Sequence, residues 1–249
     1  MKTSRFLSSV TVVMRGKIGF AVLVLVFAQL ATVDATIYMT ADDLNGTNLF
    51  GTLDVATGQF TEIATTAPVL LALTTRPGGR LHGADVNSGN LFTIKPSGAT
   101  TQFGTVTALS AFFGLAYSRA GKNFFADNLD PNTVDLYSIA GNGNSSSFVG
   151  RLAGPNSGFF PTGNLVFGPD GKLYFNYSSD LNGGGANSSL YTVNTSTGAL
   201  TPIGSGLGTD ILALFSDGTT LYGIDAVATS DIAIYTINPS RALPPKSRR

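Results

Sequence analysis

The 249 residues contain no cysteine and no tryptophan. The first absence excludes disulfides, zinc–thiolate sites, iron–sulfur clusters and cysteine nucleophiles, so stability must come from a packed core. Histidine occurs once, as His82, which excludes any metal centre built from several imidazoles. Charge is scarce as well: Asp, Glu, Lys and Arg make up 12% of the chain, 15 of each sign. Runs of Glu, Lys and Leu at helical spacing are missing, which argues against long surface helices.

What the chain does have is glycine, 30 residues of it, many Thr, Ser and Asn, and 43% hydrophobic residues. That mixture predicts an all-β domain of short strands joined by tight turns. The first 35 residues differ. Lys2, Arg5, Arg15 and Lys17 precede an apolar run from Ile18 to Leu30, and Val33-Asp34-Ala35 follows with small residues. The run is shorter than the ~20 residues of a membrane span, so residues 1–35 read as a signal peptide cleaved before Thr36. The chain is then expected to be secreted, periplasmic or at the cell surface, with no membrane attachment after cleavage. Residues 1–35 hold four cations against Asp34, and the body from 36 to 238 holds seven Lys/Arg against fourteen Asp/Glu. An acidic body argues against nucleic acid as a partner.

Internal repetition is the strongest signal. Leu49-Phe50-Gly51-Thr52-Leu53-Asp54-Val55-Ala56-Thr57-Gly58 returns as Leu190-Tyr191-Thr192-Val193-Asn194-Thr195-Ser196-Thr197-Gly198, with weaker copies from Leu91, Leu136 and Ile234. Successive copies start 42, 45, 54 and 44 residues apart. A second unit, Leu165-Val166-Phe167-Gly168-Pro169-Asp170-Gly171-Lys172-Leu173-Tyr174, is echoed by Leu212 to Asp225, Leu71 to Asp85 and Leu115 to Asp127. Each unit is a hairpin. Two hairpins per ~45 residues make the four-stranded blade of a β-propeller, here of about five blades, with strands a (innermost) to d. Two aromatic columns run through the copies. Tyr38, His82, Phe125, Tyr174 and Tyr222 form one, and Phe50, Phe92, Tyr137, Tyr191 and Tyr235 the other. Both suit packing between stacked blades.

The ends do not match. Between residues 36 and 238 the first blade lacks strand a and the fifth lacks strand d. The basic, proline-broken segment 239–249 reads as a disordered tail able to supply neither. The last blade is therefore expected to be incomplete, and the ring to be open or short of a hairpin where first and last blades meet.

The two repeat units resemble those of exported bacterial β-propeller proteins of unknown function, some of which carry a Pro-Glu-Pro sorting tail that this chain lacks. They are also similar to NHL and YVTN propellers. The resemblance implies a binding module more than an enzyme.

By fold-level analogy, sites lie at the channel mouth, on the face of the b–c and d–a loops. Asp42, Asp85, Asp127 and Asp225 fall there at the ends of strand b, with Asp43, Asp130, Asp180, Asp210 and Asp231 nearby. Arg76, Arg80, Arg119, Lys122 and Lys172 fall at the a–b turns of the opposite face. The four strand-end aspartates have two readings. They serve as turn formers, since Asp caps its own backbone, or they hold a ligand or a hard cation such as Ca²⁺. Their placement on different blades also leaves a carboxylate pair for glycoside hydrolysis open. His82 shares an aromatic column and reads as packing. Asn182-Gly183-Gly184-Gly185 lacks a following helix and is no phosphate loop. The expected function is a non-catalytic, monomeric propeller binding a protein or carbohydrate ligand without a cofactor. The alternative is a Ca²⁺-dependent propeller hydrolase of lactonase, phosphoesterase or glycosidase type.

Overall fold

The computed structural model describes residues 9–16, 19–28, 36–42, 47–106, 112–130, 133–153, 160–178, 188–209, 211, 213–226, 232–240 and 246–248. These form an all-β propeller of five antiparallel blades, each a meander of consecutive strands. Blade one holds β1 (Ser9–Gly16), β2 (Gly19–Ala28), β3 (Thr36–Asp42), β4 (Asn48–Leu53) and β5 (Phe60–Thr66). Blade two holds β6 (Leu70–Arg76), β7 (Arg80–Asp85), β8 (Asn90–Ile94) and β9 (Thr100–Thr105). Blade three runs through β10 (Phe112–Tyr117), β11 (Asn123–Asp130), β12 (Thr133–Ile139) and β13 (Ser146–Arg151). Blade four runs through β14 (Phe160–Phe167), β15 (Leu173–Ser178), β16 (Ser189–Val193) and β17 (Leu200–Ile203). Blade five has β18 (Ala213–Ser216), β19 (Leu221–Ala226), β20 (Ile232–Ile237) and a three-residue edge, β21 (Lys246–Arg248). The last blade is thus incomplete, with three full strands and a stub.

Strand a of blade one is β2, drawn from the apolar run that also reads as a signal sequence. It pairs with β3 from Leu23↔Ala41 to Ala28↔Thr36. An unbroken run rich in Val and Phe suits a strand covered on both faces as well as it suits a leader. β1 folds back on β2 and lies against β6, β10, β14 and β18, the innermost strands of the other four blades.

The turns follow their sequence chemistry. In the Asp-Gly turns of blades four and five, Gly171 and Gly218 take φ of 78° and 81°, which a side chain would resist. The Asp caps the turn: Asp170 accepts from Lys172 N–H at 3.1 Å, and Asp217 accepts from Thr219 N–H at 2.7 Å. The same carboxylates accept the hydroxyls of Tyr174 at 2.9 Å and Tyr222 at 3.1 Å. One motif therefore sets both the turn and the rotamer of a seam aromatic.

Register corrects both aromatic columns by one residue at one blade. Leu81, Leu173 and Leu221 open strand b opposite Thr75, Phe167 and Ser216. In blade three Asn123 takes that place, opposite Tyr117, so Phe124 and not Phe125 is equivalent to His82. With two adjacent phenylalanines, only the pairing tells which faces which neighbour. In blade one Gly51 and not Phe50 is equivalent to Tyr191, because the turns at Asp54 and Asn194 set the register. The Phe60 ring lies over Gly51, 2.5 Å from where a Cβ would stand.

The core is five seams. Each hydrophobic cluster draws on two neighbouring blades: one and two, two and three, three and four, four and five, and five and one. The last joins Ile37, Met39 and Leu53 to Ala213, Phe215, Ile224 and Ile234. The expected gap between first and last blades is closed by side-chain packing, and among the described residues no strand is shared between the termini.

Phe215 is fully buried in the closing seam, whereas Phe148 is 59% exposed on an outer strand. Phe215→Ala is expected to lower unfolding stability by about 3–5 kcal/mol, and Phe148→Ala by under about 1 kcal/mol. Urea denaturation checks both, and equal losses would mean the ring is not closed at that seam.

Candidate functional site

Of the aspartates that the sequence places at the ends of strand b, Asp42 and Asp85 end β3 and β7 and Asp225 stands one residue from the end of β19, whereas Asp127 lies inside β11, which continues to Asp130. Asp85, Asp127 and Asp225 are equivalent: Asp85 faces Leu70, Asp127 faces Phe112, and Asp225 directly follows Ile224, which faces Ala213. Asp127 is thus in register with the other two. Asp42 ends β3, and its side chain lies outside the described residues, as do Asp43, Asp180, Asp210 and Asp231. Asp85 caps its own turn, accepting from Asn87 N–H at 3.0 Å and from the Ser88 hydroxyl at 2.8 Å. Asp225, 9% exposed, accepts the Thr209 hydroxyl at 2.6 Å. Burial raises its pKa, and the Thr209 hydrogen bond offsets part of that rise. Among the described residues no three Asp, Glu or His side chains gather into a metal-ligating group.

Asp127 is fully buried and stands directly opposite Asp135, which in turn faces Arg151. Arg151 Nε holds Asp135 at 3.0 Å. Burial raises the pKa of Tyr137, and the two carboxylates raise it further against the opposing pull of Arg151. All four groups therefore share one face of blade three.

His82 is 2% exposed at the seam of blades two and three. Its Nδ1 lies 3.0 Å from the Tyr117 hydroxyl, and its ring meets Phe103 at 4.5 Å between centroids. Burial, with the Arg76 and Arg80 charges, lowers its pKa to about 4. Burial lifts that of Tyr117 to about 12. A histidine this enclosed is a packing and hydrogen-bonding group. Asn123, 2% exposed, is buried at the same level with both amide atoms lacking a hydrogen-bond partner.

On the opposite face, blades three and four part at their a–b ends around a groove of about 480 Å³, within the range of small-molecule sites. Phe124, Phe167 and Leu173 form its floor, the two rings 6.1 Å apart. Ser118, Thr192 and Thr195 bring hydroxyls to the wall, and Lys122 and Lys172 stand at the rim. The two lysines follow Gly121 and Gly171 at equivalent turns of adjacent blades, so the repeat itself aims both at one opening. Lys172 pairs with Asp170 at 3.3 Å. Burial pushes the Asp170 pKa up, but the Lys172 backbone N–H, the Tyr174 hydroxyl and the Lys172 ammonium together hold it below the ordinary carboxylate value. Arg119 ties the two blades beside the groove by donating to the Pro169 carbonyl at 3.1 Å. The sequence located these cations on this face but marked no site there. The repeated Gly-Lys turn was the available signal.

No protein-family model matches the sequence, and neither does any curated protein. Solved structures do resemble the fold. The nidogen/laminin complex matches with a TM-score of 0.55 at 13% identity, over 98% of this chain and 92% of that one. A protein of unknown function from Bacteroides caccae matches with a TM-score of 0.52 at 11% identity, over 96% and 93%. A gluconolactonase from Xanthomonas campestris reaches 0.47 at 14% identity, over 99% and 86%. At these identities the likeness is one of propeller fold.

Since the folded pKa of His82 lies below its ordinary 6.5, the unfolded chain takes up this proton first as pH falls. The stability tied to neutral His82 is complete above pH 6.5 and is lost by about 3 kcal/mol on descending to about pH 4. Urea midpoints for wild type and His82→Phe, compared at pH 7 and 4.5, are expected to show the variant losing less stability on acidification.

Proposed function

We propose that this protein is a non-catalytic, exported propeller that binds its ligand in the groove between blades three and four. The groove's lining carries the proposal. It offers phenyl rings, hydroxyls and ammonium groups, but no Asp, Glu or His, and so no acid–base pair for hydrolysis. Propellers that hold ligands without chemistry need only such a surface. Of the strand-b aspartates, by contrast, Asp85 is spent on its own turn and Asp225 on Thr209, and Asp127 is buried within blade three.

The reading is tested by saturation-transfer NMR with a panel of small sugars, carboxylic acids and aromatic compounds. Hits on the wild type are expected to vanish in Thr192→Trp, which fills the groove from a half-buried wall position. Hits that survive the substitution would place the ligand elsewhere. In parallel, millimolar Ca²⁺ is expected to leave the melting temperature unchanged. A rise would favour the Ca²⁺-dependent hydrolase instead.

Export rests on the basic and apolar composition of residues 1–35. Edman sequencing of the chain recovered from a secreting host is expected to start at Thr36. A chain that retains Met1 and the β1–β2 hairpin would overturn export by this route.

A further inference from the structure

The described charges on the a–b face are unevenly shared among the blades. Blades two to four present Arg76, Arg80, Lys95, Arg119, Lys122 and Lys172 at their a–b and c–d turns, all exposed. The carboxylate among them, Asp170, is bound to Lys172. Blades one and five instead turn Asp54 and Asp217 to this face. An arc of cations thus crosses three consecutive blades and passes the mouth of the groove, on a body whose residues 36–238 carry seven cations against fourteen anions. Among the described residues Lys122 makes no ion pair, although it stands at the rim.

These features ask different things of a ligand. The arc calls for several anionic groups spaced along an extended molecule. The phenyl floor suits the apolar face of a ring, and the hydroxyl wall suits a ligand rich in hydroxyls. We infer that the groove seats one sugar of an acidic, uronate-bearing polysaccharide, whose flanking carboxylates lie along the cations of blades two and three. The inference rests on the groove being the ligand site and adds the ligand's class. Nucleic acid is the poorer fit, since its charges crowd at about one per 1.7 Å of duplex and the acidic body repels so dense a polyanion. The carboxylates take charge-assisted hydrogen bonds from Lys122 and the arginines.

The test is affinity electrophoresis and calorimetry of the protein with polygalacturonate, its fully methyl-esterified form and single-stranded DNA. Four proteins are compared, namely wild type, Lys122→Ala, Arg76→Ala/Arg80→Ala and Thr192→Trp, with melting curves confirming that each folds. Polygalacturonate is expected to bind, more weakly as salt rises, while the esterified polymer does not. Binding should fall about tenfold in Lys122→Ala and in the arginine pair variant, and be lost in Thr192→Trp. Tighter binding of the esterified polymer or of DNA overturns the uronate assignment. If the esterified polymer's binding is lost in Thr192→Trp, the groove stands as the ligand site with the wrong class of ligand. Binding of polygalacturonate that withstands both Thr192→Trp and Lys122→Ala overturns the groove itself. No binding of polygalacturonate overturns the inference and leaves the groove to the small-molecule panel.

Discussion

Every sheet in this ring has two apolar faces, and neither can be left to water. A blade alone buries nothing, so each face must be covered by the next blade, and the demand passes round the ring until the fifth blade meets the first. That requirement makes five separate clusters instead of one central core. It also closes the ring without a shared strand: Phe215 and Ile224 on one side need Ile37 and Met39 on the other. Burying a side chain of this size gains about 1.5–3 kcal/mol, so a seam of six such residues and Ala213 outweighs the edge contact that a swapped strand would add.

Several polar groups among the described residues enter the seams where a partner waits across them. The Thr40 hydroxyl donates to the Leu70 carbonyl of the next blade at 2.7 Å. The Asn176 amide does the same to Ile211 at 2.5 Å, from the equivalent strand position three blades on. Ser188 both donates to the Ile211 carbonyl and accepts its N–H. His82 and Tyr117 satisfy each other between blades two and three. These bonds link neighbouring blades at set heights, so they hold the stacking angle that the apolar contacts alone leave loose. Asn123 departs from this pattern, at a position where Leu81, Leu173 and Leu221 show that an apolar residue belongs.

The same stacking generates the groove. Between blades three and four the turn residues are small or long and flexible, Ser118, Gly171, Lys122 and Lys172, and they leave the groove open above the seam. The floor rings belong to the seam and the rim to the turns, so a packing boundary becomes a surface of mixed character. At the opposite end of the blades, the carboxylates that look alike in sequence are separated by their neighbours. Asp85 is held by its turn, Asp225 by Thr209, and Asp127 faces Asp135 deep in blade three.

The repeat length, the paired hairpins, the Asp-Gly turns and the five-fold count were all legible in the chain, because strand alternation and turn chemistry are local properties. So were the placement of Arg76, Arg80, Arg119, Lys122 and Lys172 about the a–b turns and the packing role of His82. Register was legible in sequence in some blades and off by one in blades one and three. The pairs Phe124-Phe125 and Phe50-Gly51 needed hydrogen bonding to say which residue is equivalent to those of the other blades. The apolar run at 19–28 reads in sequence as a leader, and its fit as strand a of blade one appears only in its pairing with β3. Closure of the ring, the seam partners of each polar group and the groove between blades three and four belong to the tertiary structure. Each depends on residues roughly a blade or more apart in the chain, and no local pattern records how two sheets settle against one another.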